Sequence, residues 1–135
     1  MITQYGVLAY RVDSDGGVQI LLVTSRQTGR WVIPKGHPIA GLSPAESAAR
    51  EAYEEAGIEG EVAPGALGAY RYRKLIRFGL PRLARVTVFP LRVTRMLRRW
   101  PEAHQRRRQW FPRAAAASAV QEAALRRMIL GFRPE

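Results

Sequence analysis

Apolar and polar positions along the chain divide it into short strands and two helical stretches. Tyr5–Val12 reads as a strand, the turn residues 13–17 follow, and the aliphatic run Val18–Thr24 supplies an antiparallel partner. A second turn through Thr28, Gly29 and Arg30 leads into the short apolar segment Trp31-Val32-Ile33. Residues 34–42 follow neither a helical nor a strand period, which predicts a loop. Ser43 can cap a helix, Pro44 suits its first position, and Glu46 completes a capping box. The spacing predicts a helix over 44–56, closed by Gly57, with Ala45, Ala48, Ala49, Ala52 and Ala56 as its small buried face. Ile58–Val62 predicts a short edge strand, and 67–74 and 84–94 predict longer ones joined by a basic hairpin loop over 75–83. In the later strand both alternating sets are largely apolar, as expected of a strand covered by helices on each face; Pro90 marks a bulge or an edge. Residues 95–109 are basic and broken by Trp100-Pro101. After Trp110-Phe111-Pro112, which anchor it to the core, an alanine-rich helix over 113–129 has apolar positions Ala117, Val120, Ala124 and Met128 at helical spacing. The expectation is an α/β chain: a small mixed sheet, one helix in the middle and one at the end, in a single domain over 1–135.

Composition narrows the class. With 135 residues and 47% hydrophobic content the chain can bury one real core. No apolar run approaches the roughly 20 residues of a membrane span. The sequence has no cysteine, which removes disulfides, thiolate metal sites and cysteine nucleophiles. With no secretory pattern in its opening residues, the expectation is a cytoplasmic protein without a membrane partner. Charge says more. The net charge is +11, and it is unevenly placed: residues 1–69 carry five basic and eight acidic side chains, residues 70–135 seventeen and three. Such a field attracts polyanions, whether phosphorylated small molecules or nucleic acid.

The chemistry concentrates on the first helix. Glu51 lies three residues from Glu54 and four from Glu55, so the three crowd one flank of the last turns. Like charges there destabilise a helix, and the helix dipole disfavours anions at that end. A hard cation such as Mg2+ or Mn2+ would recover both costs, because it takes carboxylate oxygens. The same residues also read as a solvated acidic face in which Arg50 pairs with Glu54. Lys35, Gly36 and His37 in the preceding loop, together with the later arginines, favour the cation. A metal with arginines around a polyanion is what phosphoryl chemistry requires.

Gly36, Arg50, Glu51, Glu54, Glu55, Gly57 and Ile58 fall on the signature of the Nudix hydrolases, G-x5-E-x7-R-E-U-x-E-E-x-G-U with U aliphatic, and the chain resembles that family over essentially its whole length. The resemblance implies an α/β/α sandwich with a mixed sheet between helices, and metal-dependent hydrolysis of phosphoanhydride bonds. It implies Glu51, Glu54 and Glu55 as metal carboxylates, with Glu51 or Glu54 also serving the attacking water. Glu102, the only acid between Glu61 and Glu122, is the candidate distal acid; it also reads as a surface residue paired with an arginine. One position departs: the signature's first glutamate is Leu42, which deprives Arg50 of a partner, and Glu46 is a possible substitute unless the cap occupies it.

The segments 31–36, 70–74, 100–102 and 106–111 resemble the diphosphoinositol polyphosphate and diadenosine polyphosphate phosphohydrolases within that family. Lys35, His37, Arg71 and Arg73 are expected near the phosphates, and Arg107 near the outer ones. Other readings stay open: hydrolysis of ADP-ribose or other nucleoside diphosphate derivatives, of RNA 5′-triphosphate ends, or an inactive nucleotide- or RNA-binding module. That last reading would stack bases on the aromatics of 70–73 and leave the three glutamates without use. Monomer and homodimer are equally open.

Overall fold

The computed structural model describes residues 1–76 and 78–134; Arg77, within the predicted hairpin loop, lies outside the described residues. In chain order the elements are β1 (Ile2–Val12), β2 (Val18–Thr24), β3 (Trp31–Val32), β4 (Lys35–Gly36), α1 (Pro44–Ala56), β5 (Ile58–Val62), β6 (Gly68–Lys74), β7 (Arg82–Met96), β8 (Arg108–Pro112), α2 (Arg113–Ala119) and α3 (Ala123–Gly131).

β1 and β2 form the predicted antiparallel pair. β1 also runs parallel to β7, from Ile2 opposite Ala84 to Tyr10 opposite Arg92, and this central parallel pair makes the sheet mixed. The order is β3-β2-β1-β7-β5, with β4 on β1, β6 on β7 and β8 on β2. Side chains from alternate strand positions fill two cores. One packs Val7, Leu21, Phe89 and Leu91 against the alanine face of α1. The other packs Leu8, Ile20, Val86 and Val88 against α2 and α3. The result is the expected α/β/α sandwich. No helix among the described residues is long and apolar enough to cross a membrane.

The structure corrects the sequence-based expectations in three places. Residues 34–42 are not all loop, because Lys35 and Gly36 pair with Gly6 and Tyr5. Gly6 permits that approach: a Cβ there would sit 2.9 Å from the Pro34 carbonyl oxygen. The stretch around Trp110 is a strand, β8, zipped along β2 from Gln19 to Val23. The terminal alanine-rich stretch is two helices, separated where Val120 turns extended (φ −87°, ψ 155°). Val120 and Leu125 are both buried yet five residues apart, on different faces of a continuous helix; the break resets the phase. Pro90 sits where the outer partner of β7 changes from β6, ending at Val88, to β5, starting at Leu91, so its missing N–H interrupts neither ladder.

Candidate active site

The acidic helix is fixed at both ends. The Ser43 Oγ accepts from the Glu46 N–H at 3.1 Å and Glu46 Oε1 accepts from the Ser43 N–H at 2.8 Å. Glu46 is therefore occupied by the cap and does not replace the acid missing at Leu42. At the other end Gly57 adopts φ 65°, and its N–H donates to Tyr53. The carbonyls left bare by the last turn are taken by distant residues. Arg108 donates to the Ala56, Gly57 and Leu97 oxygens at 2.8, 3.1 and 2.6 Å. Trp100 Nε1 donates to the Glu55 oxygen at 3.0 Å, and the Glu102 N–H to the Glu54 oxygen at 3.1 Å. A guanidinium at the negative end of the dipole offsets part of the cost of placing three carboxylates there.

Those carboxylates have different surroundings. Glu51 is half-buried and forms no hydrogen bond or ion pair among the described residues, with Arg106 acting on it only through space. Burial first, then the charges of Glu55, Glu54 and Glu102, push its carboxyl up to about 7. Its side chain lies across Gly36, where a Cβ would sit 2.1 Å from the Glu51 Cδ; only glycine leaves that space. Glu55 is buried, bonded to the Lys35 N–H at 3.2 Å and to Arg106 at 3.2 Å. Burial raises its carboxyl, and Arg106 and Lys35 pull it partly back. Glu54 turns outward to Arg50, 3.4 Å away. Glu102 pairs with Arg106 at 2.7 Å and, more loosely, with Arg26 at 3.9 Å.

Glu51, Glu55 and Glu102 line one side of a cavity of about 420 Å³ between α1, β1, β4, β6 and the loop after β2. Lys35, His37 and Arg73 line it too, as expected of phosphate ligands. Glu54, Arg71 and Arg107 do not: Glu54 and Arg71 lie outside it, and Arg107 is exposed over the Trp31 ring at 5.7 Å. The cavity also gathers Lys74 and Arg106, together with Arg26 and Arg30, which sequence reasoning did not single out. Arg106 belongs to a run of three arginines, and nothing local distinguishes the buried one from its exposed neighbour. Lys35 places its ammonium 4.9 Å from the Tyr72 ring centre, and burial holds it down to about 8 against the opposing pull of Glu55. Tyr70, a candidate base-stacking residue, is 3% exposed and belongs to the core.

The family model described as "NUDIX domain" matches residues 2–130. The chain belongs to the Nudix family. It is 30% identical over 134 residues to "Nudix hydrolase 21, chloroplastic" of Arabidopsis thaliana, covering 94% of this chain and 64% of that protein. It is 32% identical over 116 residues to diphosphoinositol polyphosphate phosphohydrolase 3-alpha of Mus musculus, covering 84% and 66%. The chain thus spans roughly two thirds of the length of these relatives. Among solved structures, a C. elegans Ap4A hydrolase binary complex superposes with a TM-score of 0.68 at 20% identity, covering 96% and 93%. The NUDIX domain of Shewanella oneidensis NrtR with ADP ribose gives 0.68 at 13%, covering 95% and 85%. At those identities the likeness is one of fold.

Nudix proteins generally use divalent metal cofactors. Among the described residues no three acidic or imidazole side chains converge closely enough to hold an ion unaided. The Nudix glutamates still suit a hard cation in part. Glu51 is a carboxylate with no hydrogen bond or ion pair of its own, its charge offset only in part by Arg106, and Glu55 lies one turn along the helix. Glu54 is engaged by Arg50 at 3.4 Å. That pair is exposed, worth about 0.5 kcal/mol, and so easily exchanged.

Proposed function

We propose that this Nudix protein hydrolyses phosphoanhydride bonds of highly phosphorylated small molecules, either diphosphoinositol polyphosphates or dinucleoside polyphosphates, with Mg2+ or Mn2+. The observation that carries the reading is the cavity itself, with Glu51, Glu55 and Glu102 on one side and Arg30, Lys35, Arg73 and Lys74 also facing in. Glu51 and Glu55 would hold the cation, and Glu54 would complete the set on leaving Arg50. When bound, the cation supplies charge neutralisation at the phosphate oxygens. The remaining roles belong to the chain. Lys35 and Arg73 bind the phosphates, with His37 at the rim, and the planar guanidinium of Arg30 suits paired phosphate oxygens. Glu102, already tied to Arg106, orients water. Apart from His37, Tyr72 is the only aromatic ring in the lining among the described residues, which favours phosphate-dense substrates over those needing a base sandwiched.

The test is a hydrolysis panel with Mg2+ or Mn2+ over diadenosine tetra-, penta- and hexaphosphate, an inositol pyrophosphate, ADP-ribose and a 5′-triphosphorylated RNA. The expected result is cleavage of the first two classes, lost in Glu51→Gln and Glu54→Gln. Cleavage of ADP-ribose or RNA alone would replace the substrate assignment. Absence of turnover throughout would refute the enzyme.

A further inference from the structure

Gln4 lies on the β1 side of the cavity, opposite Val86 of β7, and is 2% exposed. Its Oε1 accepts a hydrogen bond from the Tyr72 hydroxyl at 2.5 Å. No partner within the chain takes its Nε2 among the described residues, yet that nitrogen is not sealed off as the Arg30 Nη1 is. Gln4 lines the cavity, so a partner for Nε2 is to be found there. A buried amide normally has its donors satisfied, so a free one aimed into a cavity marks a ligand atom. Its surroundings name the chemistry. The Lys35 ammonium stands over the Tyr72 ring at 4.9 Å, and Arg30, anchored to Glu122 at 2.9 Å, lines the same space. The Tyr72 hydroxyl donates to Oε1, which leaves the other end of the amide, Nε2, for a ligand.

We infer that Gln4 is a substrate-binding residue: its Nε2, oriented by the Tyr72 hydroxyl, donates to a phosphate oxygen held on Lys35, and Tyr72 is a positioning residue. The inference rests on the reading of the cavity as a polyphosphate site. An amide set this way discriminates by orientation rather than charge. Were the amide turned over, its oxygen would face the anion and repel it.

The experiment is calorimetric titration of the full chain with inorganic tripolyphosphate in chelator, where no turnover occurs. Gln4→Leu removes the donor, leaving an apolar side chain one carbon shorter, and should weaken binding about tenfold, or 1.4 kcal/mol. Gln4→Glu should weaken it further. Tyr72→Phe keeps the ring beneath Lys35 and should weaken binding about threefold in the parent but not in the Gln4→Leu background, since the two act as one unit. Parent-like affinity in Gln4→Leu would overturn the inference. So would an undiminished Tyr72→Phe effect in the double variant, or a parent that does not bind tripolyphosphate. Should Gln4→Leu fail to fold, Tyr72→Phe decides: parent-like affinity there overturns the positioning. Hydrolysis lost from the panel while these affinities still change would leave the subsite standing and refute only the reaction.

Discussion

Replacing Glu51 with Gln should make the protein more stable and less useful. In the folded chain the carboxyl titrates at about 7, against 4.5 when unconstrained. The difference of about 2.5 units sets a ceiling near 3.4 kcal/mol at 1.36 kcal/mol per unit. Glu51 is only half-buried, and solvent screening reduces this to about 1–2 kcal/mol. Between the two values the folded state binds the extra proton, so stability falls as pH rises from about 4.5 to 7 and stays low above. Glu51→Gln removes that loss. Thermal melts in chelator should place the variant about 3–8 °C above the parent at pH 8, with the gap closing near pH 4.5. Mg2+ at pH 8 should then raise the parent more than the variant, because only the parent keeps the ligand. A variant no more stable than the parent at pH 8, or an equal gap at both pH values, would refute the account of Glu51 as a charge compensated only in part.

Gly36→Ala places a Cβ where the Glu51 Cδ now lies, 2.1 Å away, so metal-dependent turnover should drop at least tenfold while the melting temperature barely moves; a substrate assay paired with melts checks this. Arg108→Gln takes their guanidinium donor from the carbonyls of Ala56 and Leu97, leaves Gly57 with the Leu97 N–H alone, and removes a cation 3.9 Å from the Trp100 ring centre. It should cost about 2–3 kcal/mol in denaturant unfolding. For the proposed reaction, kcat/KM should rise through about pH 7 as Glu51 ionises and fall above about 8 as Lys35 loses its proton. The acid limb should move lower with added Mg2+, which competes with the proton, and Lys35→Arg should abolish the alkaline limb.

The helix and most strands were legible because their signals are local. The capping box at Ser43, the glycine at 57 and the two-sided apolar pattern of β7 act within a few residues, and the structure follows them. β8 was hidden because half of it belongs to an arginine run whose alternation means nothing until β2 is laid beside it. The break at Val120 has no Gly or Pro to announce it; the phase of buried Leu125 and Ile129 imposes it. In the site, Gly36, Glu51 and Glu55 are marked by the resemblance to the Nudix signature and Lys35 by its loop before the helix, and all four line the cavity. Arg26, Arg30 and Gln4 carry no such mark, since each owes its place to strands and loops brought together from afar. The pairing of Glu54 with Arg50 is the i,i+4 contact that the helix spacing offered from the start.

The stitching of the last turn of α1 to residues 97–108 has a consequence for synthesis of the chain. The bonds that close this helix end span 45 to 52 residues. At 5–20 residues per second, Arg108 leaves the peptidyl transferase centre about 3–10 s after the helix it serves. Through that interval the nascent chain carries crowded glutamates beside bare carbonyls, and neither Arg106 nor Arg108 to hold them. Until then the helix has its own caps but not these distant donors, and the wall of the cavity that carries Glu102 and Arg106 is missing. That wall arrives with the step that zips β8 onto β2.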